Sequence, residues 1–247
     1  MLPQSMRNEF ETPGWVWLAH FVEQNSFVSP TLFIAPTDNK FDIYAGLKGK
    51  LASSVAFNVR GSLKNEDNKA LFVSNEYILG NTNTEGYAYG NSFNVVYDNV
   101  KTISFFGELK ADFSKNVSFG INGTYNNFTS DVQAEAWNLP QLKVGTTLDF
   151  NLTEKWYAGT NVFFVGERKD VVTVQDDLSI NPGTYTQQEV TLDSYFDLNA
   201  HVGYKYNARL TAFLKGNNLA NQQYNRWANF PVQGIQVMLG ANYKFDF

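Results

Sequence analysis

No cysteine occurs anywhere in the chain, which excludes disulfides and thiolate metal centres and leaves the redox compartment open. Charge is scarce: Asp, Glu, Lys and Arg make up 17% of the 247 residues, against roughly 25% in an ordinary soluble domain. The net charge of −5 argues against nucleic acid as a partner, because phosphate binding needs clustered Lys and Arg. No apolar run approaches the ~18 residues of a membrane-spanning helix, so a membrane role here would fall to strands. A signal peptide is not legible either. No apolar run follows Arg7 within Met1–Glu9, and Trp15–Val22 lies between Glu11 and Glu23 without a small-residue cleavage site. An exported protein read this way is expected to be a truncated chain, with residues 1–24 a poorly defined N-terminal segment. P-loop, dinucleotide and zinc signatures are missing as well.

Aromatic residues are abundant, at 16%, with 21 Phe, 13 Tyr and 5 Trp. They fall into a period of two. In the last strand, 235–247, Ile235, Val237, Leu239, Ala241, Tyr243, Phe245 and Phe247 alternate with Gln236, Met238, Gly240, Asn242, Lys244 and Asp246. A helix would need spacings of three and four, so the pattern is that of a strand. It recurs in 41–51, 54–64, 102–113, 116–126, 141–152 and 193–206. Segments 155–167 and 208–217 fit with Phe163 and Phe213 on the wrong face. Nine strands are expected, with a tenth possible in 13–22 or 92–99. Each runs to about 10–13 residues, longer than the usual ~5–6 of soluble sheets and near the ~9–11 that cross a bilayer at a tilt.

A soluble lipocalin-like barrel also alternates, so periodicity alone does not decide the class. The connections do. Short polar turns at 50–53, Ser114-Lys115, Thr153-Glu154 and Asn207 alternate with long connections at 65–91, 127–139, 168–192 and 218–232, as periplasmic turns and outer loops alternate in an outer-membrane barrel. Aromatics gather at both ends of the apolar face: Phe113, Phe150, Trp156, Tyr204, Tyr243 and Phe247 on the turn side, with Phe41, Tyr125, Phe164 and Phe196 on the loop side. Two interfacial girdles are expected to look like this. The reading is an all-β, antiparallel, up-and-down transmembrane β-barrel of about nine or ten strands, in contact with outer-membrane lipid.

The segment from Asn217, Asn218 and Leu219 through Tyr224 to Trp227, Pro231 and Gly234, ending in Phe247, resembles the C-terminus of TonB-dependent outer-membrane receptors. Asn25–Pro30, the stretch from Glu135 through Trp137 to Pro140, and Val165-Gly166-Glu167-Arg168 resemble the same family's barrel. The resemblance covers the chain from about Asn25 onward and marks 25–247 as the C-terminal part of a barrel. It implies a larger wall of 22 strands closed by an N-terminal plug in the outer membrane of a Gram-negative bacterium. Its implied activity is TonB-dependent uptake of a siderophore, vitamin or glycan-type substrate. Its implied partners are the TonB energy-transducing complex, reached through the plug, and the barrel-assembly machinery. There is no room here for a plug or for 22 strands, so only the barrel identity carries over. The alternative is a small stand-alone barrel with a structural or adhesion role.

Chemistry is sparse. His201 stands on the polar side of its strand beside Asn199 and Gly203, with no nucleophile at catalytic spacing, and reads as a lumenal structural residue. His20 receives no role. Asp176-Asp177 offers too few oxygens for a divalent cation. Glu167-Arg168-Lys169-Asp170 reads as a surface ion cluster worth about 0–1 kcal/mol. No enzyme, metal site or cofactor is expected. Trp137, Tyr185 and Trp227, with Tyr224 and Phe230, are loop aromatics whose faces could stack on a substrate, although packing onto the barrel is as natural a use.

Overall fold

The computed structural model describes residues 34–74, 93–175 and 185–245. The described residues form thirteen strands: β1 (Asp38–Ala52), β2 (Val55–Ser74), β3 (Phe93–Ser114), β4 (Val117–Ser130), β5 (Leu142–Asn151), β6 (Trp156–Val165), β7 (Arg168–Gln175), β8 (Tyr185–Leu192), β9 (Tyr195–Lys205), β10 (Leu210–Asn217), β11 (Asn225–Trp227), β12 (Phe230–Pro231) and β13 (Gln236–Tyr243). Nine form one antiparallel sheet in the order β1-β2-β3-β4-β5-β6-β9-β10-β13, and β7-β8 and β11-β12 are separate hairpins. Among the described residues, β1 and β13 are free edges that do not pair with each other. Across the described residues the wall is an open sheet, not a closed ring.

Alternation fixes the register. Leu239, Leu214, Val202, Ala158, Phe150 and Val117 are successive cross-strand partners on one face. Phe196, Phe164, Val144, Gly123, Gly107, Val59 and Leu47 form a second such row. The opposite face carries Lys215, His201, Gly159, Asp149, Ser118 and Asp112 in line. A one-residue slip would exchange these sets, so the register is strongly specified. The apolar face is bare, with Leu239 80% and Leu47 72% exposed. A soluble monomer does not leave so large a contiguous patch uncovered.

The short turns are built by local side-chain bonds. Thr153 Oγ1 accepts from the Trp156 amide at 3.0 Å, and Asn207 Oδ1 accepts from the amides of Arg209 and Leu210, both at 2.8 Å. Such turns compete well with continued strand because the side chain replaces ladder bonds.

The long connections differ from expectation. The 65–91 connection is strand as far as Ser74, and 92–99 is the upper half of β3, not a tenth strand. β3 has 22 residues, roughly 70 Å of chain at ~3.3 Å per residue, more than twice the ~30 Å hydrocarbon thickness. A bulge between Glu66 and Lys69, with Asn68 at φ 57°, reverses the parity. Leu71 therefore shares a face with Val96, Val100 and Glu66. That switch hid the extension from a period-two reading. Likewise 168–192 contains the β7-β8 hairpin and 218–232 the β11-β12 hairpin, and β4 runs on to Ser130. The possible strand at 13–22, Asn25–Pro30, His20, Asp176-Asp177 and Phe247 lie outside the described residues.

Candidate functional site

The buried cluster lies at the loop end of the polar face. Leu71, Val73, Val100, Trp137 and Val171 are its centre, with Val96, Phe128 and Leu139 packed around them. The 131–141 connection and β7 thus fold inward over the polar side. Asp98 fixes the first of these. Its buried carboxylate accepts from the amides of Asn99 (2.7 Å), Asp131 (3.2 Å), Val132 (3.0 Å) and Gln133 (2.6 Å). Burial alone would raise its pKa, but the four N–H donors outweigh it and hold the carboxyl below its ordinary range.

The segment 218–235 forms a strap that also turns inward. Arg168 grips it, donating from Nη1 to the Arg226 carbonyl at 3.1 Å and from Nη2 to the Asn225 carbonyl at 2.7 Å. Asn138 Nδ2 donates to the same Arg226 carbonyl at 3.1 Å. Asp170, nearly fully buried, accepts from the Ala228 amide at 2.8 Å, while burial pushes its pKa up against those amide bonds. Tyr224 stacks on Tyr195 with ring centroids 3.6 Å apart, and its hydroxyl donates to Asp197 Oδ2 at 2.9 Å. Burial and that carboxylate push the phenol up to about 12. Asn218 closes the strap's base, donating from Nδ2 to the carbonyls of Gln222 and Gln233, both at 3.0 Å.

Between strap and wall lies a cavity of about 420 Å³. Phe163, Tyr195, Tyr224 and Trp227 are its aromatic walls, and Lys143, Arg168, Arg226 and Asp197 its charges. A second cavity of about 460 Å³, with the amides of Asn199, Asn217, Gln233 and Gln236, lies on the other side of the Tyr224–Asp197 bond.

The structure brings most of the sequence-predicted residues into this region, but in unequal roles. Trp137 is 7% exposed and donates its indole N–H to Gln133 Oε1 at 2.9 Å, so its faces are packed. Trp227 is half-buried and meets Phe93 edge-on at 5.0 Å, while Phe230 stacks on Phe93 at 4.7 Å. Tyr185 opens β8. Pro140 is buried behind Trp137 in sequence, and Glu167 is exposed. The Gly166 amide donates to the Leu142 carbonyl at 2.7 Å and that of Leu219 to the Leu198 carbonyl at 2.8 Å. Asn217 pairs with Gln236 in the ladder. A Cβ on Gly234 would stand 2.9 Å from Asn221 Oδ1. The surface ion cluster at 167–170 is corrected: Arg168 and Asp170 are buried, and Lys169 alone makes a surface pair, with Glu189 at 2.9 Å. Asp98, Asn138, Tyr195 and Asp197 were missed by sequence reading. The signal available for them was a polar residue breaking a strand end, which loops supply everywhere.

Phe163 and Phe213, out of place by alternation, have reasons to be where they are. The Phe213 ring lies over Gly240, covering a neighbour that has no side chain of its own. Phe163 lines the aromatic cavity under the strap.

This sheet is similar to the ferripyoverdine receptor of the outer membrane of Pseudomonas aeruginosa, at 16% identity and a TM-score of 0.60, over 88% of this chain and 28% of that one. The siderophore receptor PirA from Acinetobacter baumannii gives 15% and 0.58, over 83% of this chain and 31% of that one. The copper transporter OprC gives 13% and 0.59, over 86% and 32%. The fold is that of a TonB-dependent receptor barrel. The chain spans 28% to 32% of the length of these receptors. No family model matches the sequence, and the comparison with curated proteins gives no match. In a receptor barrel the bare apolar face is the lipid side and the polar face the lumen; in this sheet strap and cavity lie on the polar face.

Proposed function

We propose that this chain forms part of the lumenal wall of a TonB-dependent uptake receptor in the outer membrane of a Gram-negative bacterium. The observation that carries this is the nine-stranded sheet with one bare apolar face and outer connections folded over the other, superposable on solved receptor barrels. The solved relatives differ in cargo: ferripyoverdine, a siderophore and copper by their names. Cargo therefore does not transfer with the fold. Contact with the TonB complex through a plug, and insertion by the barrel-assembly machinery, belong to the same proposal. The role we read here is transport; His201 faces Gly159 and Lys215 across the strands on the polar side of the sheet.

The test is expression of residues 1–247 behind a signal peptide in cells lacking their own receptors. The chain is expected in the outer-membrane fraction, without TonB-dependent growth on an iron chelate, vitamin or glycan. Recovery as a soluble periplasmic protein would overturn the membrane assignment. Energised uptake by this polypeptide alone would overturn its role as a part of a larger wall.

A further inference from the structure

The upper ends of β2 and β3 form a two-stranded arm. Pairing with β1 stops at Asp67 and pairing with β4 at Val100, and above them Lys69–Ser74 pairs with Phe93–Asp98. A lone two-stranded ribbon is at best marginally stable in water, so this arm needs support. It has support on both faces. Leu71, Val73 and Val96 share one face and pack with Trp137 and Val171. Phe72 and Phe93 share the other, and both meet the strap. Trp227 stands edge-on to Phe72 at 5.7 Å and to Phe93 at 5.0 Å, and Phe230 stacks on Phe93 at 4.7 Å.

These rings join distant parts of the sheet. The strap leaves β10 and returns to β13, the last two strands in sheet order, while the arm rises from the second and third. Arg168, Asn138 and Asp170 hold the strap from β7 and the 131–141 connection, the elements that also support the arm's other face. Both parts leave the wall at a break in the ladder. The arm begins at the bulge between Glu66 and Lys69 and the strap at Asn218, and Asn68 and Asn218 hold left-handed φ angles of 57° and 47°. Hinges fall at such loop or element-terminal residues.

We propose that arm and strap form a single lid on the polar face, latched by Phe72, Phe93, Trp227 and Phe230 and opening as one unit about Asn68 and Asn218. The strap is one side of both the 420 Å³ and the 460 Å³ cavity, so opening the lid exposes them. Paired rings hold more strongly than their buried area alone provides. A segment held by side chains, outside the continuous ladder, opens at lower free energy than the wall. The use of this lid as a gate rests on the receptor reading; the coupled opening rests on the chain's own contacts.

The experiment is hydrogen exchange on the full chain in detergent micelles, with β5, β6 and β9 as the internal reference. Insertion in the outer membrane is scored separately, so that failure of the receptor reading is seen apart from failure of the lid. Trp227→Ala is expected to speed exchange in 69–73, in 94–98 and at the Ala228 amide together, by about tenfold or more, with the reference strands unchanged. A second variant decides the matter even if that one folds poorly. The chain has no native cysteine, so Phe93→Cys with Phe230→Cys can form one disulfide across the latch. Oxidised, it is expected to slow exchange in arm and strap alike, and reduction to release both. Asn217→Cys, which lines the 460 Å³ cavity, should react faster with a bulky maleimide when Trp227→Ala is added. Loosening of the strap without the arm, a disulfide that protects only one of them, opening of the reference strands in step with the lid, or a thiol indifferent to the latch would each overturn the proposal.

Discussion

Five asparagines, Asn68, Asn138, Asn218, Asn221 and Asn229, hold left-handed φ angles between 47° and 68°. Asparagine tolerates this region because its short amide bonds locally to the backbone, and all five lie in the bulge or connections at the loop end. Asp98 works by the same local logic, as a carboxylate gathering amides. An Asp98→Asn substitution keeps one acceptor and replaces the other with a donor facing the Gln133 amide. It is expected to cost about 1–3 kcal/mol through the buried group left unsatisfied, seen as faster hydrogen exchange at Asp131–Gln133. Because the folded carboxyl sits below its unfolded value, its contribution is present above the unfolded pKa and is lost as pH falls through the folded one. In acid the wild-type turn should loosen below the ordinary carboxylate range. The Asn variant should show no such step. Identical acid profiles would show that Asp98 does not hold the turn.

At the level of strands, period two was legible wherever the alternation ran unbroken. All nine wall strands were foreseen from it, including those around Val144 and Val237. What escaped lay where another constraint outweighed the period. The bulge at Asn68 reversed the faces of β2. Phe213 took the polar side to cover Gly240. The β7-β8 hairpin carries Arg168, Asp170 and Val171 inward at its base, so its sequence reads as charged surface. The site was legible only as a set of family-pattern residues; that Arg168 and Tyr224 tie the strap to the wall depends on contacts 57 and 27 residues distant. The faces themselves are testable. Val202→Arg, on the row with Leu214 and Leu239, should cost roughly 2–4 kcal/mol at mid-membrane, and His201→Arg much less. Folding yields in lipid vesicles measure the difference, and equal losses would reverse the assignment of lipid and lumen.

At the scale of the whole sheet, the nine strands of the described residues are joined by eight antiparallel steps, and eight reversals return a strand to its starting direction. The edges β1 and β13 therefore point the same way. They cannot zip to each other in the pairing used everywhere else in the wall; an antiparallel ring needs an odd number of further strands between them. Counting thus constrains what stands beside this sheet without reference to any relative. The absence of native cysteine makes the point accessible, because introduced thiols meet no competitors. Cysteines scanned at Ala45, Leu47 and Gly49 against Val237, Leu239 and Ala241 should fail to cross-link within one chain in the membrane. An efficient, register-specific cross-link would mean instead that this wall closes on itself through a parallel seam.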